Sequence, residues 1–281
     1  MKAPLRTLAE LVRAPAALSV PGDVIAGAAA AGTLGRRTAG LAGASVCLYW
    51  AGMAANDWAD RRLDAGERPE RPIPSGRISA RAALGIAAGL TAPWLGVAAR
   101  AGGARALAVA VPLAAAVWAY DLRAKNTAAG PAGMAACRAL DVLLGATPGD
   151  PVRALPAALV VAAHTYTVTE LSRREVSGTG RTLPVATLTA TAGLAAAVAA
   201  RGNPATAMLA GEYLNSYGRA QARLLTDPAA GAVRKAVGAG ITALPALQGA
   251  LTARAGRTLL GVAVAAAAPI GRLLARQVSP T

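Results

Sequence analysis

Apolar runs long enough to cross a bilayer follow one another along almost the whole chain. No other feature constrains the fold as strongly. A helix crossing the hydrocarbon core needs about 20 mostly apolar residues. Such runs occupy residues 15–33, 39–56, 79–99, 103–120, 129–147, 153–170, 183–200, 236–252 and 257–275 of the 281, nine in all. The stretch 204–224 stands apart, because Glu212, Asn215, Arg219 and Arg223 recur there at spacings of three and four. It reads either as an interfacial amphipathic helix or as a polar-faced tenth span. Composition agrees. Hydrophobic residues make up 54% and charged ones 15%, against roughly 25% charged in ordinary soluble domains. Mean hydropathy is +0.42, aromatics are 3% and Phe is absent, so small side chains must do the packing. The prediction is an all-α, polytopic membrane protein of about nine transmembrane helices, a single domain over residues 1–281. A disordered chain, a disulfide-stapled secreted domain and a nucleic-acid-binding protein are excluded.

The formal charge is +15, and apart from Lys2, Lys125 and Lys235 the cations are all Arg. They lie between apolar runs, as membrane-flanking charges do, and form no single basic stripe. The loops after the second, fourth and sixth runs carry Arg61, Arg62, Arg68, Arg71 and Arg77, then Arg123 and Lys125, then Arg173, Arg174 and Arg181. The alternate loops carry mainly Arg36, Arg37, Arg100, Arg153 and Arg201. The richer side, with Lys2, Arg6 and Arg13, is predicted to face the cytoplasm, in an integral protein of the cell membrane. Cys47 and Cys137 lie in apolar runs and read as small buried hydrophobes. His164 is the single histidine, so a His-rich metal site is excluded. The first twelve residues are mixed, and no secretory cleavage-type segment follows them.

Chemistry concentrates where the second apolar run ends, in Asn56-Asp57-Trp58-Ala59-Asp60-Arg61-Arg62-Leu63-Asp64. Helical spacing stacks Asn56, Asp60 and Asp64 on one face, with Asp57 adjacent. Oxygen ligands grouped in this way suit Mg²⁺, which takes one or two carboxylates together with substrate phosphates and retained waters. The following loop holds Arg68, Arg71 and Arg77 among Pro69, Pro72 and Pro74, which forbid continuous helix. Guanidinium forks suit bidentate phosphate contacts. Carboxylates for Mg²⁺ beside arginines for phosphate describe a diphosphate site on the cytoplasmic face.

The pattern NDxxDxxxD followed by RPxRPIPSGRIS, Asn56 to Ser79, closely resembles the first aspartate-rich motif and adjoining loop of the UbiA superfamily of intramembrane prenyltransferases. The resemblance implies an all-α bundle around a central cavity. It implies Mg²⁺ ions clamping an isoprenyl diphosphate donor, ionisation to an allylic cation, and attack by a small-molecule acceptor. Asn56, Asp57, Asp60 and Asp64 would then serve the metal, with Asp60 and Asp64 catalytic and Arg68, Arg71 and Arg77 on the diphosphate. Tyr120-Asp121-Leu122-Arg123-Ala124-Lys125 is similar to the family's Tyr…Lys pair, whose lysine contacts diphosphate. The usual gap is four and here it is five, which leaves Lys125 or Arg123 for the role beside Tyr120.

The second acidic motif departs from the family. Glu175 to Val185 matches its Gly…Arg-Thr-Leu-Pro-Val stretch, with Glu175 for the final aspartate, but Leu171 stands four residues earlier and Glu170 is out of register. At about 100° per residue Glu170 and Glu175 are about 140° apart on a helix, so both reach one metal only if the turn unwinds. Arg174 is a further diphosphate candidate. Within the fifth run, Arg138 and Asp141 are intramembrane ionisable groups, which mark either a site or a structural ion pair. They, with His164 and Tyr166, are the acceptor-side candidates, and Tyr120–Leu144 with His164-Thr165-Tyr166 resembles the EboC-like branch of the superfamily. An intramembrane terpene cyclase on the same scaffold, or a non-catalytic isoprenoid-lipid binder or transporter with a degenerate second motif, remain alternative readings.

Overall fold

The computed structural model describes residues 2–269. Helix α1 (Lys2–Leu11) leads through a tight turn, Ala14–Ser19, into α2 (Pro21–Ala30). The long α3 (Arg36–Glu67) and α4 (Ala80–Ala119) follow. Then come α5 (Gly130–Ala146), α6 (Leu155–Ser172), α7 (Thr182–Ala199), α8 (Pro204–Tyr213), α9 (Arg219–Arg223), α10 (Ala230–Arg254) and α11 (Thr258–Ala265). Helix starts follow local chemistry. The side chains of Ser79, Asp150 and Asn203 accept from the backbone N–H groups of Ala82, Val152 and Thr206, using donors that a helix start leaves free. At Gly103 the chain takes φ 68°, which L side chains rarely adopt. The break divides α4 into the two passages that the sequence predicts at 79–99 and 103–120.

Polar contacts gather the connections at two ends. At one end Arg77 pairs with Glu10, Arg173 donates to the Thr127 carbonyl at 2.8 Å, and the Thr179 N–H donates to the Pro228 carbonyl at 3.0 Å. At the other, Arg105 donates to the Gly149 carbonyl at 3.2 Å, Arg254 to the Ala197 carbonyl at 3.2 Å, and Asn203 to the Ala253 carbonyl at 3.3 Å. Among the described residues the chain therefore runs nine times from end to end before α11 turns back. The 204–224 stretch is one of those passages. Its polar face of Glu212, Asn215, Arg219 and Arg223 is exposed, while Tyr213, Tyr217 and Gln221 are buried. The sequence count of nine included 257–275 in its place, and the end of that run lies outside the described residues. Among the described residues four helical stretches are long and apolar enough to cross a membrane alone: Arg36–Glu67, Ala80–Ala124, Thr182–Ala199 and Ala230–Arg254. The remaining passages are shorter or less apolar.

Lipid offers no hydrophobic drive between helices, so close packing and polar contacts must hold them together. A methyl group at Gly27 would collide with the Val142 carbonyl, and one at Gly145 with the Val24 carbonyl, so α2 and α5 touch backbone to backbone. Beside that contact the buried Asp23 pairs with Arg138 at 2.8 Å and accepts from Gln248 at 2.7 Å. Three helices are thereby tied at one point. Gly27→Ala and Gly145→Ala are each expected to lower the thermal midpoint in detergent, with overpacking costing about 1–3 kcal/mol. Gly89→Ala, whose added methyl meets nothing within 4 Å, is expected to be neutral or slightly stabilising.

Candidate active site

The acidic end of α3 is organised by angular position. At about 100° per residue, Asn56, Asp60, Asp64 and Asp57 fall in that order across about 100° of the helix surface. Asp64 and Asp57 are thus neighbours two turns apart, as are Asn56 and Asp60 one turn apart. The structure separates the two pairs, where the sequence reading lined up Asn56, Asp60 and Asp64. Arg71 Nη1 lies 2.8 Å from Asp64 Oδ2 and 3.3 Å from Asp57 Oδ1. Arg68 is 3.8 Å from Asp64. The loop that delivers these arginines is folded on itself: the Ser75 side chain donates to the Arg71 carbonyl at 2.6 Å and the Ile78 N–H to the Pro72 carbonyl at 3.0 Å. Ile73 and Ile78 anchor it against Leu11, Ala54 and Ala83.

Asp57 has a second partner that sequence reading missed. Arg13 donates to it at 3.2 Å from 44 residues away. Arg13 is also the one non-glycine among the described residues with positive φ, 48°, a conformation that costs free energy and is found where the surroundings enforce it.

Asn56 and Asp60 face the end of α4. Asn56 donates to Asp121 at 3.1 Å, and Lys125 Nζ lies 2.7 Å from Asp60 Oδ1. The backbone explains the unusual gap of five in this motif. Tyr120–Ala124 is a wide π turn, closed by the Lys125 N–H donating to the Tyr120 carbonyl at 3.0 Å. Such a turn inserts one residue into a helix, so Lys125 takes the place below Tyr120 that a gap of four gives in a regular helix. Lys125 reaches the carboxylates, and Arg123 is exposed. Asp121, unassigned in the sequence reading, is buried at the centre of this contact.

Several sequence candidates lie elsewhere. Arg77 is held by Glu10, the Glu70 carbonyl and Ser75, and ties α1 to the loop. Leu171 is fully buried in the apolar core, so it offers nothing to a metal. Helix α6 ends at Ser172, and Glu175 sits in the turn beyond it, where Arg234 donates to its carbonyl at 2.8 Å. Burial raises the Glu175 carboxyl above its ordinary value, while Arg234 and Arg68 pull it back down. Glu170 instead lies near Tyr166, one turn back on α6. Arg174 is exposed and lines a groove with Thr179 and Asp227. His164 is buried, 3.1 Å from the Tyr213 hydroxyl and in edge contact with Tyr213 and Tyr217. That places His164 in the packing between α6 and α8, and it does not line the polar cavity that Arg138 and Asp141 line.

This cavity, of about 120 Å³, lies between α3, α4 and α5. Ser45, Tyr49 and Gly52 line it along the same stripe of α3 that ends in Asn56 and Asp60, and Tyr120, Asp121, Arg138 and Asp141 complete its polar wall. Asp141 accepts from Ser45.

A metal ion fits the acidic end on one observation. Among the described residues no three His, Cys, Asp or Glu side chains stand together as a finished metal cluster. Asp57 and Asp64 do converge on a single positive centre, the Arg71 nitrogen. Two carboxylates completed by substrate phosphate oxygens is the donor set that Mg²⁺ accepts.

The family profile of UbiA prenyltransferases matches residues 18–211. The chain belongs to the UbiA prenyltransferase family. It is 42% identical over 96 residues to digeranylgeranylglyceryl phosphate synthase of Ignicoccus hospitalis, covering 34% of this chain and 32% of that one. To the bacteriochlorophyll synthase 33 kDa chain of Cereibacter sphaeroides it is 51% identical over 57 residues, 20% of this chain and 18% of that one. The matches thus span about a third or less of these curated relatives. The solved apo structure of a UbiA homolog from Aeropyrum pernix K1 superposes with TM-score 0.66 at 18% identity, over 84% of this chain and 96% of that one. A structure of digeranylgeranylglyceryl phosphate synthase gives 0.65 at 17%, over 91% and 99%. The shared fold is the UbiA bundle.

Arg71 offers a direct test of this arrangement. The side chain of Asp64 is 2% exposed and that of Arg71 21%, so Arg71→Gln leaves a buried carboxylate short of its main partner. The expected loss is about 2–4 kcal/mol, reduced from the fully buried case by the partial exposure of Arg71. Thermal unfolding in detergent measures it, and adding Asp64→Asn should restore part of the stability.

Proposed function

We infer that this chain transfers a prenyl group from an isoprenyl diphosphate to a small acceptor, with Mg²⁺, at the cytoplasmic side of the cell membrane. The observation that carries the reading is the convergence of Asp57 and Asp64 on one cation position, flanked by Arg68, Arg71 and the Lys125–Asp60 pair. Asp57, Asp60 and Asp64, with Glu175 brought in from the second motif, would hold Mg²⁺, and Asn56 is their neutral companion. Bound there, the metal supplies charge that stabilises the departing diphosphate.

The chain's own cations complete that task. Arg68, Arg71 and Lys125 are placed to bind the diphosphate oxygens as the bond to the prenyl C1 breaks and its electron pair leaves with the diphosphate. Preorganised charge at the point where new charge develops commonly does more for the rate of such a step than any other effect. Tyr120 lines the neighbouring cavity, and an aromatic ring there would favour a nearby prenyl cation. The apolar, small-residue bundle excludes water from that cation. The orientation follows from the excess of Arg and Lys on the loops of the site end.

Leu171 favours a second reading, a binder of isoprenoid diphosphates that no longer ionises them, because the second motif keeps one carboxylate of its pair. Release of diphosphate from geranylgeranyl diphosphate by purified protein separates the two readings. The expected result is Mg²⁺-dependent release that falls at least 100-fold in Asp60→Asn and Asp64→Asn, with near-normal thermal midpoints. Equal release from these variants and the wild type would remove the site proposed here. Lys125→Met should lower release at least tenfold, and Arg123→Ala should leave it within a factor of two.

A further inference from the structure

We propose that a groove at the end of the bundle opposite the acidic site binds an anionic phospholipid, its phosphate on Arg153, Arg201 and Arg254 and an acyl chain along α6. The groove has a volume of about 620 Å³. It lies where α6 begins and where α2, α7 and α10 end. Its floor is apolar, made by Ala30 of α2, Ala157 and Val160 of α6, and Leu251 of α10. Three arginines line it from three separate parts of the chain: Arg153 just before α6, Arg201 just after α7, and Arg254 in the last turn of α10. The site is independent of the prenyl-transfer reading.

The charge there is unanswered. Among the described residues no Asp or Glu lines the groove, and none of the three arginines is in an ion pair. Asp150, close by in sequence, is taken up by the backbone, accepting from the Val152 N–H at 3.0 Å. At the opposite end of the bundle Arg71 and Lys125 are held by carboxylates. Arg254 Nη1 donates to the Ala197 carbonyl at 3.2 Å, which fixes its guanidinium between α10 and α7 and leaves its other N–H groups to a ligand. An arginine that merely flanks a membrane span needs only water. Three that converge from different segments on one concavity, without an acid, call for a shared anion. Guanidinium forks suit phosphate oxygens, and basic pockets between membrane helices take anionic lipid headgroups.

The apolar surface decides between a lipid and a free anion. Leu155 and Leu159, 42% and 66% exposed, are one turn apart on α6. They stand beside Pro156 and Val160, which line the groove and are also one turn apart. This strip leads from the arginines toward the middle of the bundle, as an acyl chain leads from its phosphate. An inorganic phosphate ion would use the arginines and leave the floor and the strip bare.

The test uses the full chain, purified in detergent and freed of lipid. It is titrated with dioleoyl phosphatidylglycerol, dioleoyl phosphatidylcholine or sodium phosphate. Bound lipid is counted by native mass spectrometry, and the thermal midpoint is read in parallel. Phosphatidylglycerol should bind at a concentration about fivefold or more below that of phosphatidylcholine, whose chains are identical. Phosphate alone should leave the thermal midpoint unmoved. Arg153 and Arg201 are exposed, so Arg153→Gln and Arg201→Gln are expected to fold; each should shrink the preference, and together they should abolish it. Arg37→Gln removes an exposed arginine from the same end that does not line the groove, and should keep the wild-type preference. Should the double variant fail to fold, the single variants and the wild-type preference decide the matter. Equal binding of the two lipids, an undiminished preference in the Arg153 and Arg201 variants, or as large a loss in Arg37→Gln overturns the proposal. Stabilisation by phosphate alone as large as that by phosphatidylglycerol overturns the assignment to a lipid.

Discussion

A carboxylate inside an apolar helix bundle needs a cation or close hydrogen-bond donors, because an unpaired buried charge costs several kcal/mol. The buried Asp121 and Asp141 take the neutral donors Asn56 and Ser45, and four other acidic groups take cations. Asp23 is met by Arg138, Asp64 by Arg71, Asp60 by Lys125, and Asp57 by Arg13 and Arg71. Each pairing also joins parts of the chain far apart in sequence. Arg13 brings the end of α1 to α3, Lys125 brings the end of α4, and Arg71 folds the loop back over the helix that precedes it. Arg138 holds α5 to α2. The acidic end of α3 is therefore the point where α1, α4 and the long loop meet.

The same pairings prepare the site for the proposed chemistry. A guanidinium that neutralises Asp57 and Asp64 in the ligand-free chain stands where a metal cation would stand, and it is already beside the position of the diphosphate. With Mg²⁺ and donor bound, the carboxylates would exchange one positive partner for another, and Arg68 and Arg71 would be free to turn from carboxylate to phosphate. Few charges need to be imported and few are left bare. The wide turn at Tyr120–Ala124 serves this arrangement by setting Lys125 under Tyr120 despite the extra residue.

Much of the bundle was legible because apolar run length and flanking arginine are direct consequences of the bilayer. The kinked α4 was readable as two runs, and the motif from Asn56 to Ser79 pointed to the candidate site. What the sequence left open had specific physical causes. The 204–224 stretch stayed open between an interfacial helix and a polar-faced span because Glu212, Asn215, Arg219 and Arg223 recur at helical spacing, which either one allows; the burial of Tyr213, Tyr217 and Gln221 on another face makes it a passage. The angular order of Asn56, Asp60, Asp64 and Asp57 is available from helix geometry alone. Which pair meets which cation depends on where the loop folds, and local spacing carries no record of that. Arg13 is 44 residues from its partner and was invisible for the same reason. The gap of five left Lys125 and Arg123 both open, because spacing alone does not reveal the wide turn that brings Lys125 to Asp60. Leu171 was legible as a departure, and its burial in the core explains why no ligand stands there.

The central claim is that the end of α3 binds a diphosphate through a divalent cation. The most direct test is thermal stabilisation of the purified protein by a non-hydrolysable prenyl diphosphate, with and without Mg²⁺, in wild type and in Asp64→Asn. The account predicts stabilisation that requires Mg²⁺ in the wild type and disappears in the variant. Stabilisation of equal size without Mg²⁺, or undiminished in Asp64→Asn, would contradict it.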